Sequence, residues 1–378
     1  MINPSQHNCT GCTACIMSCP IKCIHMKQDE EGFLVPKVDA EKCVKCNLCD
    51  QICPELNRKN VINIGKVYAF KNNDLHIRLN SSSGGAFFTV AKYVIEKNGI
   101  VCGALFDNNL KLIHKCVSCL EDVKKMMGSK YIQSYIGNVY EEIRKNLVAK
   151  KIVLFTGTPC QVAGLKSYLR KEYDNLLTIQ LICHGVPSPL LFEKYKIYLK
   201  NKYSIKEIEY LSFRKNNKFV ITVQGDGRKL SWKGSIDLYL RPFIKGKNYR
   251  YCCYSCQYSK NHIADITIGD FWGVEKYYKQ FCDSHGISFL MLNTSKGKQI
   301  FNLMENVSFI QSKYDIAAKN NNNLLNPTVL NKDRYIFYKD INDPNYIKNL
   351  KKFVPLKAIV ASKLPNSLLG FLRMEKNE

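Results

Sequence analysis

The sequence lacks both an apolar run long enough to cross a membrane as a helix and a secretory leader. A membrane span needs about 20 consecutive apolar residues, and the most apolar late segment, residues 353–372, is interrupted by two lysines, Pro365 and Asn366. The first seven residues, MINPSQH, have neither the charged region nor the apolar region of a signal peptide. We therefore expect a cytoplasmic protein with no transmembrane segment, whose thiols stay reduced.

Two common nucleotide-binding motifs are also missing. There is no Gly-x4-Gly-Lys-Ser/Thr, which excludes an ordinary P-loop NTPase. No Gly-x-Gly-x2-Gly opens a helix, so a Rossmann dinucleotide site has no support. Acidic residues are scarce as well, 32 against 56 Lys and Arg in 378 residues, for a formal net charge of +24. A surplus of this size is typical of proteins with a polyanionic partner, so an iron–sulfur nucleic-acid-binding protein is retained as one alternative below.

Cysteine, in contrast, is abundant, and its spacing is informative. Nine of the 18 cysteines fall within the first 53 residues, and eight of these form two runs of Cys-x2-Cys-x2-Cys-x3-Cys-Pro placed 34 residues apart. This spacing is that of bacterial ferredoxins, in which the fourth cysteine of each run binds the cluster of the other run. The sequence therefore predicts two [4Fe-4S] clusters, one held by Cys9, Cys12, Cys15 and Cys53 and the other by Cys19, Cys43, Cys46 and Cys49.

The alternative for these runs is structural zinc, which favours two separated Cys-x2-Cys pairs rather than two runs of four. Iron–sulfur clusters are the preferred interpretation, and two adjacent clusters imply one-electron transfer. Cys23 is left over and is interpreted as a small buried residue, and His7 as a surface residue.

The rest of the chain changes character after the cysteine runs. We predict an α+β ferredoxin-like domain over residues 1–57, a linker over 58–65, an α/β domain over 66–300 and a C-terminal extension of unclear role over 301–378. Strand-like and helical patterns alternate through the third segment, which favours a largely parallel sheet. The alternating stretches are 66–71, 86–97, 100–106, 139–150, 151–155, 161–170, 176–182 and 189–200.

Further cysteines are predicted to lie at one edge of that sheet. Cys160 and Cys183 each follow the end of a predicted strand, and ligands gather beyond the carboxyl ends of parallel strands. Downstream, Cys253 and Cys256 form a close pair. These four cysteines are candidates for a third [4Fe-4S] cluster, and the alternatives are ordinary buried cysteines or a zinc site.

Other residues allow two interpretations each. The run Ser82, Ser83, Gly84 and Gly85 before a helix suits either a phosphate or a plain N-cap. His184 is either a proton donor near the third site or a hydrogen-bonding loop residue. Disulfide bonding within Cys116–Cys119 is disfavoured because strand positions three apart face opposite sides. Three remaining cysteines are interpreted as core residues by default, Cys102, Cys252 and Cys282.

Several stretches together resemble the coenzyme F420 hydrogenase/dehydrogenase beta-subunit family, in the bacterial form that carries a two-cluster ferredoxin domain. They follow the family order over most of residues 1 to 300. The matching segments are 82–85, 101–107, 128–134, 155–161, 181–188, 253–256 and 265–273.

The resemblance implies FAD in the α/β domain, bound by loops that include Ser82, Ser83, Gly84, Gly85, Ser129 and Lys130. It also implies that Cys160, Cys183, Cys253 and Cys256 hold a cluster near the flavin. The expected function is that of an iron–sulfur flavoprotein oxidoreductase, which passes electrons between a two-electron donor or substrate at FAD and one-electron clusters. Many bacterial relatives look like parts of surface-polysaccharide pathways.

Two alternatives remain at this point, an electron carrier without catalysis that docks a partner enzyme, and the nucleic-acid binder. The sequence leaves open the substrate, the physiological donor, the use of a deazaflavin coenzyme, the direction of electron flow and the oligomeric state. The partner is expected to be a redox protein or a small-molecule hydride donor.

Overall fold

The structure is a computed structural model that describes residues 8–58, 64–354 and 356. His7, most of the predicted linker and the segment beyond residue 356 lie outside these residues. Among the described residues, no helix is both long and apolar enough to span a bilayer.

The N-terminal part repeats one unit twice. A short helix contains the third cysteine of each run, α1 (Ala14–Ser18) with Cys15 and α2 (Leu48–Ile52) with Cys49. Each begins after a residue in the left-handed conformation, Thr13 with φ 67° and Asn47 with φ 57°, and each ends at the fourth cysteine of its run. Between them β1 (Ile24–Gln28) and β2 (Leu34–Val38) pair antiparallel, with Ile24 opposite Val38. The 34-residue duplication is therefore visible in the backbone conformation as well as in the sequence.

An eight-stranded sheet forms the centre of the body of the chain. Its strands in chain order are β3 (Lys66–Asn72), β4 (Ile100–Phe106), β5 (Leu112–Val117), β6 (Val153–Gly157), β7 (Leu176–Leu181), β11 (Ile266–Asp270), β12 (Ser288–Leu292) and β13 (Val307–Ser312). The helices that accompany it as far as residue 203 are α3 (Leu75–Leu79), α4 (Ala86–Glu96), α5 (Leu120–Met126), α6 (Val139–Val148), α7 (Pro159–Leu169) and α8 (Pro189–Tyr203).

The sheet is mixed, so the expectation of a largely parallel sheet is wrong. The strand order is β13-β3-β12-β11-β7-β6-β4-β5. Only the central pairs β11–β7, β7–β6 and β6–β4 run parallel, whereas both margins are antiparallel. The alternation in the sequence reveals the crossovers between central strands, but the antiparallel margins come from a hairpin and from strands distant in the chain. Because β13 pairs with β3, residues 307–312 complete the sheet.

A second, three-stranded antiparallel sheet is not anticipated by the sequence patterns. It consists of β8 (Tyr210–Lys215), β9 (Lys218–Gly225) and β10 (Arg228–Lys233), in the order β10-β9-β8. The remaining helices are α9 (Leu240–Ile244), α10 (Ser295–Phe301), α11 (Tyr314–Ala318), α12 (Asp333–Tyr338) and α13 (Tyr346–Asn349). The second sheet, α8, α9, α12 and α13 share one apolar core, which is rich in aromatic residues. The C-terminal helices are thus packed into the body of the chain.

One cysteine pair contradicts the expectation that the thiols outside the clusters are plain core residues. Cys102 on β4 and Cys116 on β5 are directly opposite in the antiparallel ladder and form a disulfide. Cys102 is fully buried, as predicted, but its partner is a cross-strand residue 14 positions away. Sequence spacing could not show this, because the pairing depends on the register of the hairpin.

Candidate functional site

The first cysteine set lines a single cavity. Cys9, Cys12, Cys15 and Cys53 face it together with Met26, Pro36 and Glu55. Gly11, with φ 71°, turns the backbone so that its N–H donates to Cys9 Sγ at 3.4 Å. Burial raises the pKa of the Cys12 thiol to about 12, and its Cys9 and Cys53 neighbours add to the shift. The structure therefore brings together the four cysteines that the spacing assigns to one cluster.

The second set lies closer to the surface. Cys19 is buried, whereas Cys43 and Cys49 are half-buried and Cys46 is exposed. Cys23, interpreted from the sequence as an ordinary buried residue, is buried with its Sγ 3.4 Å from Cys19 Sγ. It therefore lies within this group of thiols.

The third set converges from three separate elements. Cys160 lies in the first turn of α7, directly after β6, and Cys183 follows β7, the neighbouring parallel strand. A short 3-10 helix, Tyr251–Ser255, brings Cys253, and Cys256 follows it. All four line one cavity, as expected at the carboxyl edge of parallel strands. Burial raises the pKa of the Cys183 thiol to about 11 and that of the Cys256 thiol to about 12.

A fifth thiol, which sequence reasoning missed, lines the same cavity. Cys252 is 7% exposed, and the sequence alone suggests only a core residue at this position. Its pKa is lowered, mainly because Cys253 donates a hydrogen bond to it, and the nearby Arg250 charge adds to this effect against the opposing influence of burial. The adjacency of two cysteines at 252–253 is the only signal available in the sequence.

Within the part of the chain that the structure describes, no three His, Cys, Asp or Glu side chains stand at the distances that one bound metal ion requires. The described cysteines other than Cys102 and Cys116 are free thiols. Four free thiols that line one cavity can each bind a different iron of a cluster with several irons.

A hydrogen-bonded chain of side chains positions Cys160. Thr158 and Gln161 form a reciprocal capping box at the start of α7, and Thr158 Oγ1 lies 3.1 Å from Cys160 Sγ. Gln161 Nε2 donates to Ser134 Oγ at 2.8 Å, and Ser134 Oγ lies 3.0 Å from His114 Nδ1. Burial lowers the pKa of His114 to about 4, so this imidazole is neutral at pH 7. The network fixes the start of α7, which carries Cys160.

His184 also lines the third cavity. Its ring lies edge-on to Trp272, with centroids 5.4 Å apart, and its backbone carbonyl accepts a hydrogen bond from Thr328 Oγ1 at 3.0 Å. Burial lowers the pKa of His184, and the Asp270 carboxylate partly opposes this shift. Burial of the ring therefore disfavours the protonated form of His184.

The N-terminal part docks directly against the third site. Thr10 and Gly11 line both the cavity of the first cysteine set and that of the third set. Around this junction, Leu34 N donates to Gln133 Oε1 at 3.0 Å, and Arg250 Nε donates to the Cys9 carbonyl oxygen at 2.6 Å. The two thiol-lined cavities are therefore neighbours across two residues of backbone.

The segments expected to bind a flavin also meet. Ser82 Oγ accepts hydrogen bonds from Ser129 N at 2.6 Å and from Ser129 Oγ at 2.8 Å. Gly84 must be glycine because a Cβ there would lie 2.2 Å from the Phe70 carbonyl oxygen. Gly85, with φ 87°, is the N-cap residue of α4. No N-cap side chain therefore accepts a hydrogen bond from the backbone N–H groups of the first turn of this helix.

Ser83 and Lys130 belong to the same segments, but the side chains of both donate hydrogen bonds to backbone carbonyl oxygens of the chain. Ser83 Oγ donates to the Ile287 carbonyl oxygen at 2.8 Å. Lys130 Nζ donates to three carbonyl oxygens at the end of α5 and just after it, those of Met126, Met127 and Gly128. Burial lowers the pKa of Lys130 to about 7. Lys130 thus holds the turn that presents Ser129.

Arg214 on β8 is a member of this site that sequence reasoning missed. Its Nη2 donates to the Ser82 carbonyl oxygen at 3.0 Å, and its Nη1 donates to Asp270 Oδ2 at 3.0 Å and to Tyr131 Oη at 3.2 Å. The side chain is 4% exposed, and its Nε is buried without a hydrogen-bond partner. Its Nη2 also donates to the carbonyl oxygen and Oδ1 of Asn217. Nothing in the local sequence marks Arg214 as part of this site, because Ser82, Tyr131 and Asp270 are distant from it in the chain.

Comparison with known proteins gives two family matches. Residues 150–315 match the model of the carboxyl-terminal part of the beta subunit of coenzyme F420 hydrogenase/dehydrogenase, and residues 8–56 match that of the 4Fe-4S dicluster domain.

Two curated proteins are similar in sequence. A coenzyme F420-dependent sulfite reductase of Methanocaldococcus jannaschii is 24% identical over 320 residues, which cover 79% of this chain and 46% of that protein. The VorC protein of Methanothermobacter marburgensis, a part of ketoisovalerate oxidoreductase, is 37% identical over 51 residues, 13% of this chain and 65% of VorC. The chain spans about half the length of the sulfite reductase.

One solved structure is similar over much of the chain. It is a chain of the F420-reducing [NiFe] hydrogenase complex of Methanosarcina barkeri, at 16% identity and a TM-score of 0.46. The match covers 77% of this chain and 91% of that one.

Proposed function

We propose that this chain, a member of the coenzyme F420 hydrogenase/dehydrogenase beta-subunit family with a 4Fe-4S dicluster domain, is an iron–sulfur flavoprotein oxidoreductase. In this proposal electrons pass between a two-electron donor or substrate at FAD and one-electron iron–sulfur clusters. The observation that carries it is the contact between the cavity of Cys9, Cys12, Cys15 and Cys53 and the cavity of the third cysteine set through Thr10 and Gly11.

The donor sets fit three [4Fe-4S] clusters. Thiolate sulfur is the ligand that these clusters take, and the first and third sets each place at least four free thiols on one cavity. We assign Cys160, Cys183, Cys253 and Cys256 to the third cluster. The second set, Cys19 with Cys43, Cys46 and Cys49, supplies the most exposed site, where we expect an external one-electron partner to dock.

The residues around Ser82 fit an anionic cofactor such as FAD. Two features support this, the α4 N-terminus without a side-chain cap and the buried Arg214 Nε without a partner. Backbone N–H groups at a helix start and a guanidinium both favour a diphosphate. We place Ser82, Ser83, Gly84, Gly85, Ser129 and Lys130 around it. FAD would supply the exchange between hydride and single electrons, which a cluster alone cannot perform.

The flavin and cysteine sites are connected through the chain itself. The segment that begins with Ser129 continues into residues 132–134, which line the third cavity. Asp270 also connects the proposed flavin site with the third cavity, because its carboxylate accepts a hydrogen bond from Arg214 and its charge acts on His184. A flavin held at Ser82 would therefore lie beside the third cluster.

We propose that His184 donates a proton to a reduced substrate near the flavin, since it lines the third cavity and its ring packs edge-on against Trp272. The variant His184→Gln tests this. We expect it to keep the iron and flavin contents of the parent chain while turnover falls. Loss of either cofactor in this variant would show that the residue supports the site rather than the chemistry.

The identity of the two-electron partner is the open part of the proposal. The names of the relatives point to coenzyme F420 as one candidate to test, and a reducing compartment is required because the ligand thiols must stay reduced. No described residue bears on a surface-polysaccharide pathway.

Anaerobic purification followed by iron, sulfide and flavin analysis tests the proposal. We expect about twelve irons and about one flavin per chain, because each [4Fe-4S] cluster contributes four irons. About eight irons would eliminate the third cluster. Absence of flavin after careful reconstitution would favour the electron carrier without catalysis. A steep, salt-dependent affinity for DNA would favour the nucleic-acid binder.

A further inference from the structure

Arg250 lies at the junction between the first and third cysteine sets. It is 3% exposed and lines the third cavity. Its Nε donates to the Cys9 carbonyl oxygen at 2.6 Å, and its Nη1 donates to the Leu34 carbonyl oxygen at 3.0 Å. Its own backbone anchors the third set, because Cys253 N donates to the Arg250 carbonyl oxygen at 3.0 Å. Arg250 therefore contacts the loop of the first set through its side chain, and its backbone begins the loop that carries Cys253 of the third set.

This guanidinium lacks the counter-charge that the other buried arginines have. Arg78 pairs with Asp283, Arg214 with Asp270 and Arg334 with Glu31. Among the described residues Arg250 forms no ion pair, and its Nη2 is buried with no hydrogen-bond partner. An isolated buried charge is costly, so the site needs an anion beside it.

The groups that act on this charge are mainly thiols. Burial disfavours the charged form, but Cys9, Cys252, Asp29 and Cys253 outweigh it, so the pKa of Arg250 is raised. Among the described residues Asp29 makes no ion pair with Arg250, although its charge acts on the guanidinium, and its Oδ1 accepts the backbone N–H groups of Glu31 and Phe33. The cysteines of the second set do not appear among the groups that act on Arg250.

We propose that Arg250 is a shared counter-charge for the first and third cysteine sets, and that it raises the reduction potentials of the two clusters they would hold. The inference rests on the proposed function, since it requires both clusters. Reduction adds one negative charge to a cluster, and a fixed positive charge nearby favours the reduced form. Because one residue serves both sites, their potentials should move together when it is changed.

The test compares three variants of the full chain by EPR-monitored redox titration under anaerobic conditions. Arg250→Gln removes the positive charge. Arg250→Lys keeps the charge but lacks the planar guanidinium group. Arg334→Gln weakens the contact between the N-terminal part and the body of the chain at a position away from the cysteines. We expect Arg250→Gln to lower the reduced fraction of two clusters about tenfold at a fixed potential, which is about 59 mV for one electron. Arg250→Lys should stay near the parent, and Arg334→Gln should shift neither potential.

The cluster of the second set is an internal control and should keep its potential in every variant. Unchanged potentials in Arg250→Gln at full iron content would overturn the inference while the proposed function stands. Equal shifts of the two reduction potentials in Arg250→Lys and Arg250→Gln would also overturn the inference, because they would show that the guanidinium group acts through its shape and not through its charge. If Arg250→Gln loses iron, Arg250→Lys decides alone, and shifted potentials in that variant at full iron content would overturn the inference. A parent chain with about eight irons would end this inference, which requires the third cluster, while the flavin analysis decides the proposed function separately.

Discussion

The ion pair between Glu31 and Arg334 gives the sharpest test of how the N-terminal part is held on the body. Glu31 lies in the turn between β1 and β2, and Arg334 lies in α12. The two make a bidentate contact, with Arg334 Nη1 donating to Glu31 Oε1 at 2.5 Å. Arg334 Nε also donates to the Tyr249 carbonyl oxygen at 3.0 Å. The perturbation is Glu31→Gln, which removes the carboxylate and keeps the side-chain shape.

The expected cost follows from the burial of the two partners. The Arg334 side chain is 5% exposed, so loss of Glu31 leaves a buried charge without its partner, a change that costs about 3–5 kcal/mol in fully buried pairs. The Glu31 side chain is 33% exposed, so water already weakens the pair. We therefore expect Glu31→Gln to lower the free energy of unfolding by about 2–3 kcal/mol, at or below the lower end of that range.

The measurement is the urea concentration at the midpoint of unfolding of the anaerobically purified chain, and unfolding is monitored as the loss of cluster absorbance. Lys124 and Glu121 provide the matched control, an ion pair of 2.7 Å whose side chains are 44% and 78% exposed. Glu121→Gln should cost less than about 1 kcal/mol. A double-mutant cycle with Arg334→Met should give a coupling of about 1–3 kcal/mol. If Glu31→Gln is no more destabilising than Glu121→Gln, the N-terminal part is not held by this contact.

Three further predictions follow from the cysteines and from one histidine. Cys160→Ser should lower the iron content from about twelve to about eight per chain, while Cys282→Ser should leave it unchanged. Cys252→Ser should also keep its iron, and a loss of about four irons would make Cys252 a ligand in place of Cys253. His114 has its pKa lowered by burial to about 4, so the unfolded chain binds more protons between pH 4 and about 6.5 and stability rises with pH there. His114→Gln should flatten the rise in unfolding midpoint over that range, and an unchanged slope would contradict the assignment of a neutral imidazole.

The parts of the molecule that the sequence predicted well are those set by short-range patterns. The repeated spacing of cysteines identified the first set, and the structure places all four on one cavity. The helix over 86–97 and the strand over 100–106 agree with α4 and β4 to within a residue, because periodicity and Gly99 mark them locally. The family resemblance, which rests on ordered motifs, is confirmed for residues 150–315.

The parts that the sequence could not predict depend on register and on strand order. The second sheet and the antiparallel margins of the first have no distinctive spacing, and β3 pairs with β13 across more than 200 residues. The Cys102–Cys116 disulfide requires the register of the β4–β5 hairpin. The sequence could not distinguish Cys252, the fifth thiol of the third site, from a core residue. The direction of its side chain depends on the 3-10 helix Tyr251–Ser255, which the sequence patterns did not predict.

Charge placement was the least predictable property, and it bears most on function. The count of +24 identifies no individual residue, yet the structure buries four arginines with different partners. Arg334 reaches Glu31 across 303 residues, and Arg250 reaches Cys9 across 241. The first of these charges is neutralised by a carboxylate and serves stability, whereas the second faces thiols that become anionic only when they act as ligands. Cluster loading should therefore stabilise the junction around Arg250, because it supplies the negative charge that this guanidinium otherwise lacks.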